Sequence, residues 1–219
     1  MIKAVIFDLD GVILESADIK TKAFRKLFED YPEKVDVVVD YHIKNMGVSR
    51  YIKFRHIYNN ILGMKLSVAQ EEKLAKKFSD IALEEIFKAP FVPGALEFLK
   101  TNHNNFNLFV ASGTPEEELI FIVKKRCIFD YFQEVHGSPK LKADIVRNIL
   151  KKKEFFPKDV VFVGDAETDM QAAKETGVNF IARVSPHSGN VSESKFRLFD
   201  LRGLSDSIMS INRIYRKSG

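Results

Sequence analysis

The sequence predicts a doubly wound α/β sheet interrupted by one helical insertion. Two observations predict it. Short apolar runs stop at small or acidic residues and alternate with helical patterns, and a long segment between the first two runs has helical periodicity throughout. The runs are Ala4-Val5-Ile6-Phe7, ending at Asp8; Leu108-Phe109-Val110-Ala111, ending at Ser112-Gly113-Thr114; Val160-Val161-Phe162-Val163, ending at Gly164-Asp165; and Phe180-Ile181-Ala182-Arg183-Val184, ending at Ser185-Pro186. Continuous apolar runs of this length suit parallel strands covered on both faces.

Helical patterns follow the strands. Pro115 to about Lys125 opens with proline and three glutamates, a favourable helix start. Ala143 to Lys153 puts Ile145, Ile149 and Leu150 on one face, and Thr168 to Thr176 stops at Gly177, a C-cap residue. Strand and helix in alternation imply a parallel, doubly wound sheet. Ligands of such sheets sit beyond the carboxyl ends of the strands. The polar residues at those ends are Asp8, Asp10, Ser112, Asp165 and Asp169.

From Ser16 to Ala89 the chain changes character. Lysine, glutamate and aromatic residues dominate, with helical spacing in Ala23, Leu27 and Phe28 and again in Leu74, Phe78, Ile81 and Ile86. The expected organisation is a core of residues 1–15 and 90–219 with a helical cap at 16–89. Phe91-Val92-Pro93-Gly94 returns the chain to the core, and Ala95 to Lys100 starts another helix. Phe196 to Leu201 reads as an edge strand and Leu204 to Tyr215 as a last helix.

Composition narrows the function class. The 219 residues are 45% hydrophobic, enough for a substantial core. The 34 basic and 30 acidic residues leave a net charge of +4, and they are well mixed. A nucleic-acid binder is expected to concentrate its basic residues in a stripe; none is present here. Lys124-Lys125-Arg126 and Lys151-Lys152-Lys153 read as solvated helix faces. The single cysteine, Cys127, has no disulfide partner and reads as a packed residue between Val123, Ile128 and Phe129. No signal-peptide pattern and no membrane-length apolar stretch is seen, so a soluble, cytoplasmic protein is expected, as a monomer or a homodimer.

Asp8 and Asp10 stand two apart at a strand end, so both carboxylates point the same way. Such a pair can divide labour. One attacks phosphorus as a nucleophile, while the other gives a proton to the leaving oxygen and takes one from water. Gly11 lets the backbone turn close to a ligand. An ordinary strand-to-turn boundary gives the same letters. Asp165, with Asp8 and the Asp10 carbonyl, is a hard oxygen set suited to Mg²⁺, and Asp169 lies one helical turn on. Acids that decorate a helix N-terminus for its dipole are the alternative here, and that is the reading for Glu167, which is expected to face solvent. Ser112 and Gly113 can bind phosphoryl oxygens or simply cap the next helix, which Thr114 is equally able to cap. A lysine is needed to balance these acids. Lys142 and Lys140 are the candidates, Lys142 the favoured one.

These segments, in this order, resemble the haloacid dehalogenase superfamily: Asp-x-Asp after the first strand, Ser after the second, a lysine, and an acidic pair after a later strand. The match covers nearly the whole chain, and the insertion resembles the helical cap of the phosphoglycolate phosphatase and β-phosphoglucomutase branch. The resemblance implies a Mg²⁺-dependent phosphatase of a small phosphorylated metabolite, a sugar or organic-acid phosphate. Asp8 would be the nucleophile, Asp10 the acid/base, Ser112 and Lys142 the phosphate binders, and Asp165 a metal ligand helped by Asp169. Asp10 argues against a dehalogenase, which lacks it. Met46-Gly47-Val48-Ser49-Arg50 looks like the mutase segment whose arginine grips a second phosphate; a surface cation beside Lys53 and Arg55 is the equal alternative. Lys20 stands where the mutase pattern has histidine; it is the nearest candidate for a Schiff-base lysine of phosphonate hydrolysis, with a phosphate-binding or solvated role the leading reading. The competing functions are a β-phosphoglucomutase-like phosphotransferase and a non-catalytic binding or regulatory protein. The cap residues Arg50, His42, His56 and Tyr51 are the candidates for specificity.

Overall fold

The computed structural model describes residues 1–185 and 190–217. Strands β1 (Ala4–Phe7), β2 (Asn107–Pro115), β3 (Glu134–Ser138), β4 (Val160–Gly164), β5 (Asn179–Arg183) and β6 (Arg197–Leu198) form one sheet in the order β3-β2-β1-β4-β5-β6. All the pairings are parallel. The expected α/β class is therefore what the chain adopts.

The apolar runs are continuous because both faces of the sheet are covered. In β1, Val5 and Phe7 pack into one cluster while Ala4 and Ile6 pack into the other. Leu108 and Val110 alternate in the same way with Phe109 and Ala111 in β2, as do Val161 and Val163 with Val160 and Phe162 in β4.

Between β1 and β2 the chain forms α1 (Ala17–Leu27), α2 (Val35–Lys44), α3 (Arg50–His56), α4 (Val68–Lys88) and α5 (Ala95–Asn102). A π-helical turn at Ile57–Leu62 continues α3. Ser67 caps α4 reciprocally with Gln70, a capping box. The insertion packs around Phe24, Phe28, Phe54 and Phe78, with Phe24 and Phe78 ring centroids 5.0 Å apart. The core continues with α6 (Glu116–Lys125), α7 (Lys142–Lys152), α8 (Glu167–Thr176) and α9 (Leu204–Lys217). Among the described residues no helix is long and apolar enough to cross a membrane.

Several local expectations change. β3 was not visible in the sequence: this edge strand alternates half-buried Glu134 and His136 with buried Val135 and Gly137, so no apolar run marks it. The tail strand shrinks to Arg197–Leu198, paired with β5 at one sheet edge. β2 runs on through Pro115, which caps α6 rather than opening it. Cys127 is exposed, not packed: α6 ends at Lys125, and Cys127 takes a left-handed backbone angle, φ 55°, that turns its side chain outward as Ile128 turns in. Arg126 is half-buried rather than solvated, its guanidinium 4.4 Å from the Phe91 ring centroid. Pro186, expected to close the last run, lies outside the described residues.

Candidate active site

β1 is the central strand, with β2 on one side and β4 on the other, so helical crossovers leave it in opposite directions. That switch point opens a crevice at the carboxyl ends. Asp8 follows β1, Ser112 lies near the end of β2, and Asp165 follows β4. All three are buried.

Lys142, at the start of α7, reaches into this crevice. Its Nζ donates to Asp8 Oδ2 at 2.7 Å and to Asp169 Oδ1 at 2.6 Å. Burial alone would lower the ammonium pKa, but the two carboxylates push it well above the ordinary lysine value. Lys140 points elsewhere, onto Glu116 at 3.0 Å. Asp169 Oδ2 also accepts the Ala166 N–H at 3.0 Å, so it caps α8 from inside while Glu167 faces solvent.

Asp10 is held differently. Its Oδ1 accepts from Ser16 Oγ at 2.6 Å, and its Oδ2 accepts from Thr114 Oγ1 at 3.1 Å and from Lys20 Nζ. Burial raises the carboxyl pKa, but the Lys20 charge and these donors outweigh it and hold Asp10 below the usual value. Lys20 Nζ also donates to Thr114 Oγ1 at 2.7 Å. Ser16 therefore spends its hydroxyl on Asp10, and the N-terminus of α1 has no side-chain cap.

A cavity of about 60 Å³ joins these groups, lined by Asp8, Asp10, Ser112, Gly113 and Asp165 on the sheet side and by Lys20, His42, Arg50 and Lys53 on the insertion side. Arg50 lines it with its charge engaged: the guanidinium pairs with Glu118 of α6, donates to Ser79 Oγ at 2.8 Å and lies 4.7 Å from the Phe78 ring centroid. Gly47 presses on Gly113, where a Cβ would stand 2.2 Å from the Gly47 carbonyl oxygen. His56 stacks on Tyr41 at 4.1 Å, and neither His56 nor Tyr51 lines the cavity.

The acids fit a cation. Asp8, Asp165 and Asp169 each offer a carboxylate oxygen within 4.8 Å of the others. Asp165 Oδ2 is buried without a hydrogen-bond partner. Burial, then repulsion from Asp8 and Asp169, pushes its pKa well above the ordinary aspartate value. A hard divalent ion would supply what that oxygen lacks. Gly11 leaves room for it, since a Cβ there would stand 2.0 Å from Asp165 Oδ2.

The sequence pattern of haloacid dehalogenase-like hydrolases matches residues 5–183, most of the chain. The chain belongs to that family. Among curated proteins it is 28% identical over 192 residues to a phosphorylated carbohydrates phosphatase of Thermotoga maritima, covering 82% of this chain and 83% of that one. It is 27% identical over 190 residues to a phosphoglycolate phosphatase of Vibrio vulnificus, covering 80% and 81%. The crystal structure of β-phosphoglucomutase from Clostridium difficile superposes with a TM-score of 0.78 at 20% identity, over 98% of this chain and 99% of that one, a likeness of fold. This haloacid dehalogenase-like hydrolase is a phosphoric monoester hydrolase.

The crevice thus gathers Asp8, Asp10, Gly11, Lys20, Arg50, Ser112, Gly113, Lys142, Asp165 and Asp169. Sequence reasoning missed Lys53 and gave Thr114 only a capping role. Thr114 is two residues beyond Ser112 on an extended strand end, a spacing that signals a shared direction. Lys53 carried no such signal, being one cation among several on a short helix.

Proposed function

We propose that this hydrolase is a Mg²⁺-dependent phosphatase that passes the phosphoryl group of a small phosphorylated metabolite to water through Asp8. One observation carries the reading: the Asp8 carboxylate ends the central strand at the switch point, held at 2.7 Å by Lys142 and grouped with the unpartnered Asp165 oxygen. Asp8 and Asp165, with Asp169 behind them, would hold the ion. Bound Mg²⁺ supplies charge that reduces repulsion between Asp8 and the phosphate and orients the phosphoryl oxygens.

In the first step an Asp8 oxygen bonds to phosphorus as the ester P–O bond breaks, and the leaving oxygen takes a proton from Asp10. In the second, water gives a proton to Asp10 as its oxygen bonds to phosphorus and Asp8 is released. The proton taken from water restores the acid form for the next turnover. Lys20, Ser16 and Thr114 favour the Asp10 carboxylate, the form that receives this proton. Lys142 and the Ser112 hydroxyl and backbone face the transferring group.

Residues 16–89 act as the cap. Lys20, Gly47 and Arg50 roof the site, and a cavity of about 60 Å³ requires them to move for substrate entry. The relatives named for phosphorylated carbohydrates and for phosphoglycolate support a sugar or organic-acid phosphate as substrate. Turnover of para-nitrophenyl phosphate with Mg²⁺ or with EDTA tests the proposal. Activity is expected with Mg²⁺ only, and Asp8→Asn is expected to lower it by about a thousandfold or more. Full activity in Asp8→Asn, or in EDTA, overturns it.

A further inference from the structure

Lys53 is a buried cation that the hydrolytic mechanism leaves unused. It lies on α3, lines the same cavity as Asp8 and is 3% exposed. The other cations of the insertion that line the cavity are committed: Lys20 to Asp10 and Arg50 to Glu118. The contacts of Lys53 among the described residues are neutral. Its Nζ lies 3.0 Å from His42 Nδ1, 3.5 Å from the His42 carbonyl oxygen and 5.4 Å from the Phe24 ring centroid.

His42 shares the wall and is equally unfinished. Its ring stacks on Phe24 with centroids 4.2 Å apart. Nδ1 accepts from the Lys53 ammonium, which leaves the ring hydrogen on Nε2. Nε2 is buried without a hydrogen-bond partner. A buried donor without an acceptor is costly, and so is a buried ammonium without an anion. Burial, then repulsion from Lys20 and Lys142, lowers the Lys53 pKa to about 7 despite the attraction of Asp10. An anion arriving at this wall would relieve both deficits.

We propose that Lys53 and His42 form a second anion site, which takes the carboxylate of a short phosphorylated carboxylic acid while its phosphate faces Asp8. The inference rests on the phosphatase reading and specifies its substrate class. Two donors match the two oxygens of a carboxylate, whereas a second phosphate would present more charge and more acceptors than Lys53 and His42 can satisfy. Lys53 and His42 line the same cavity as Asp8, so one small molecule can meet both walls.

Calorimetric binding in Mg²⁺ of two hydrolysis-inert probes tests the site. The probes are 3-phosphonopropionate and propylphosphonate, which differ by a carboxylate in place of a methyl group. The carboxylate probe is expected to bind the unmodified protein about tenfold or more tightly than its partner. Lys53→Met should bring the two to within about threefold of each other, and His42→Phe should narrow the gap in part. Equal affinities in the unmodified protein, or a preference that survives Lys53→Met, overturn the site. Turnover of para-nitrophenyl phosphate by the unmodified protein separates the two failures. A carboxylate preference without any hydrolysis removes the phosphatase reading and keeps the anion site, whereas hydrolysis without the preference does the reverse.

Discussion

Replacing Lys142 by methionine keeps the length of the side chain and removes the charge between two buried carboxylates. Lys142 is 5% exposed in its side chain, Asp8 4% and Asp169 0%, with contacts of 2.7 and 2.6 Å. Neither acid can turn to water in compensation. Breaking a buried ion pair by deleting one partner costs about 3–5 kcal/mol. At roughly 2–4 °C per kcal/mol for a chain of this size, the melting temperature in EDTA should fall by about 6–20 °C. Mg²⁺ placed among Asp8, Asp165 and Asp169 should restore part of that loss, because it puts positive charge back among the same oxygens. Differential scanning calorimetry of both proteins, in EDTA and in Mg²⁺, reads both effects. A variant that melts within about 2 °C of the unmodified protein in EDTA would refute the charge argument. A deficit that Mg²⁺ leaves untouched would refute the assignment of the ion to these carboxylates.

Acid should destabilise the protein partly through His42. Burial first, then the charges of Lys53 and Lys20, lowers its pKa from 6.5 to about 2, so only the unfolded chain takes the proton as pH falls below 6.5. Stability from this group is present above that value and falls by about 1.4 kcal/mol per pH unit beneath it, or about 2 kcal/mol by pH 5. Urea unfolding at several pH values should show this slope in the unmodified protein and not in His42→Phe; parallel profiles would exclude it. Gly11→Ala should lose most of its activity, because φ is +75° and the new Cβ would lie 2.0 Å from Asp165 Oδ2. Gly177→Ala, with φ +73° but its nearest neighbour at 3.6 Å, should cost about 1 kcal/mol in the melting curve and leave turnover intact; equal activity losses in the two would refute the steric account.

The sheet side of the site was legible because strand ends are legible. A run such as Val160-Val161-Phe162-Val163 can be continuous only where both faces are buried, so the polar residue after it marks the crevice. Asp8, Ser112 and Asp165 follow from that rule. β3 escaped it, because an edge strand with half-exposed Glu134 and His136 has no apolar run to find. The insertion side was less legible for a different reason. Arg50, Lys53 and Arg55 share a basic helix in which Lys53 and Arg55 look like solvated cations and Arg50 reads equally as a surface cation or a phosphate grip. Packing alone distinguishes them: Arg55 stays on the surface with Glu71, Arg50 turns to Glu118, and Lys53 is drawn against Phe24 and His42.

With residues 16–89 acting as the proposed cap, that sorting bears on its closure. Lys20 and Arg50 each bind an acid of the core, Asp10 and Glu118, and Ser79 adds a 2.6 Å hydrogen bond to Glu118. These contacts favour closure whether or not a substrate is present. They therefore hold the cap without distinguishing one phosphate ester from another. Lys53 and His42 contribute differently. They are a buried ammonium and a buried N–H donor that no core acid pairs with, and the cost falls only when the enclosed molecule brings its own anion. On this reading the committed ion pairs set the affinity of the cap for the core, and the uncommitted pair makes closure depend on what lies between them.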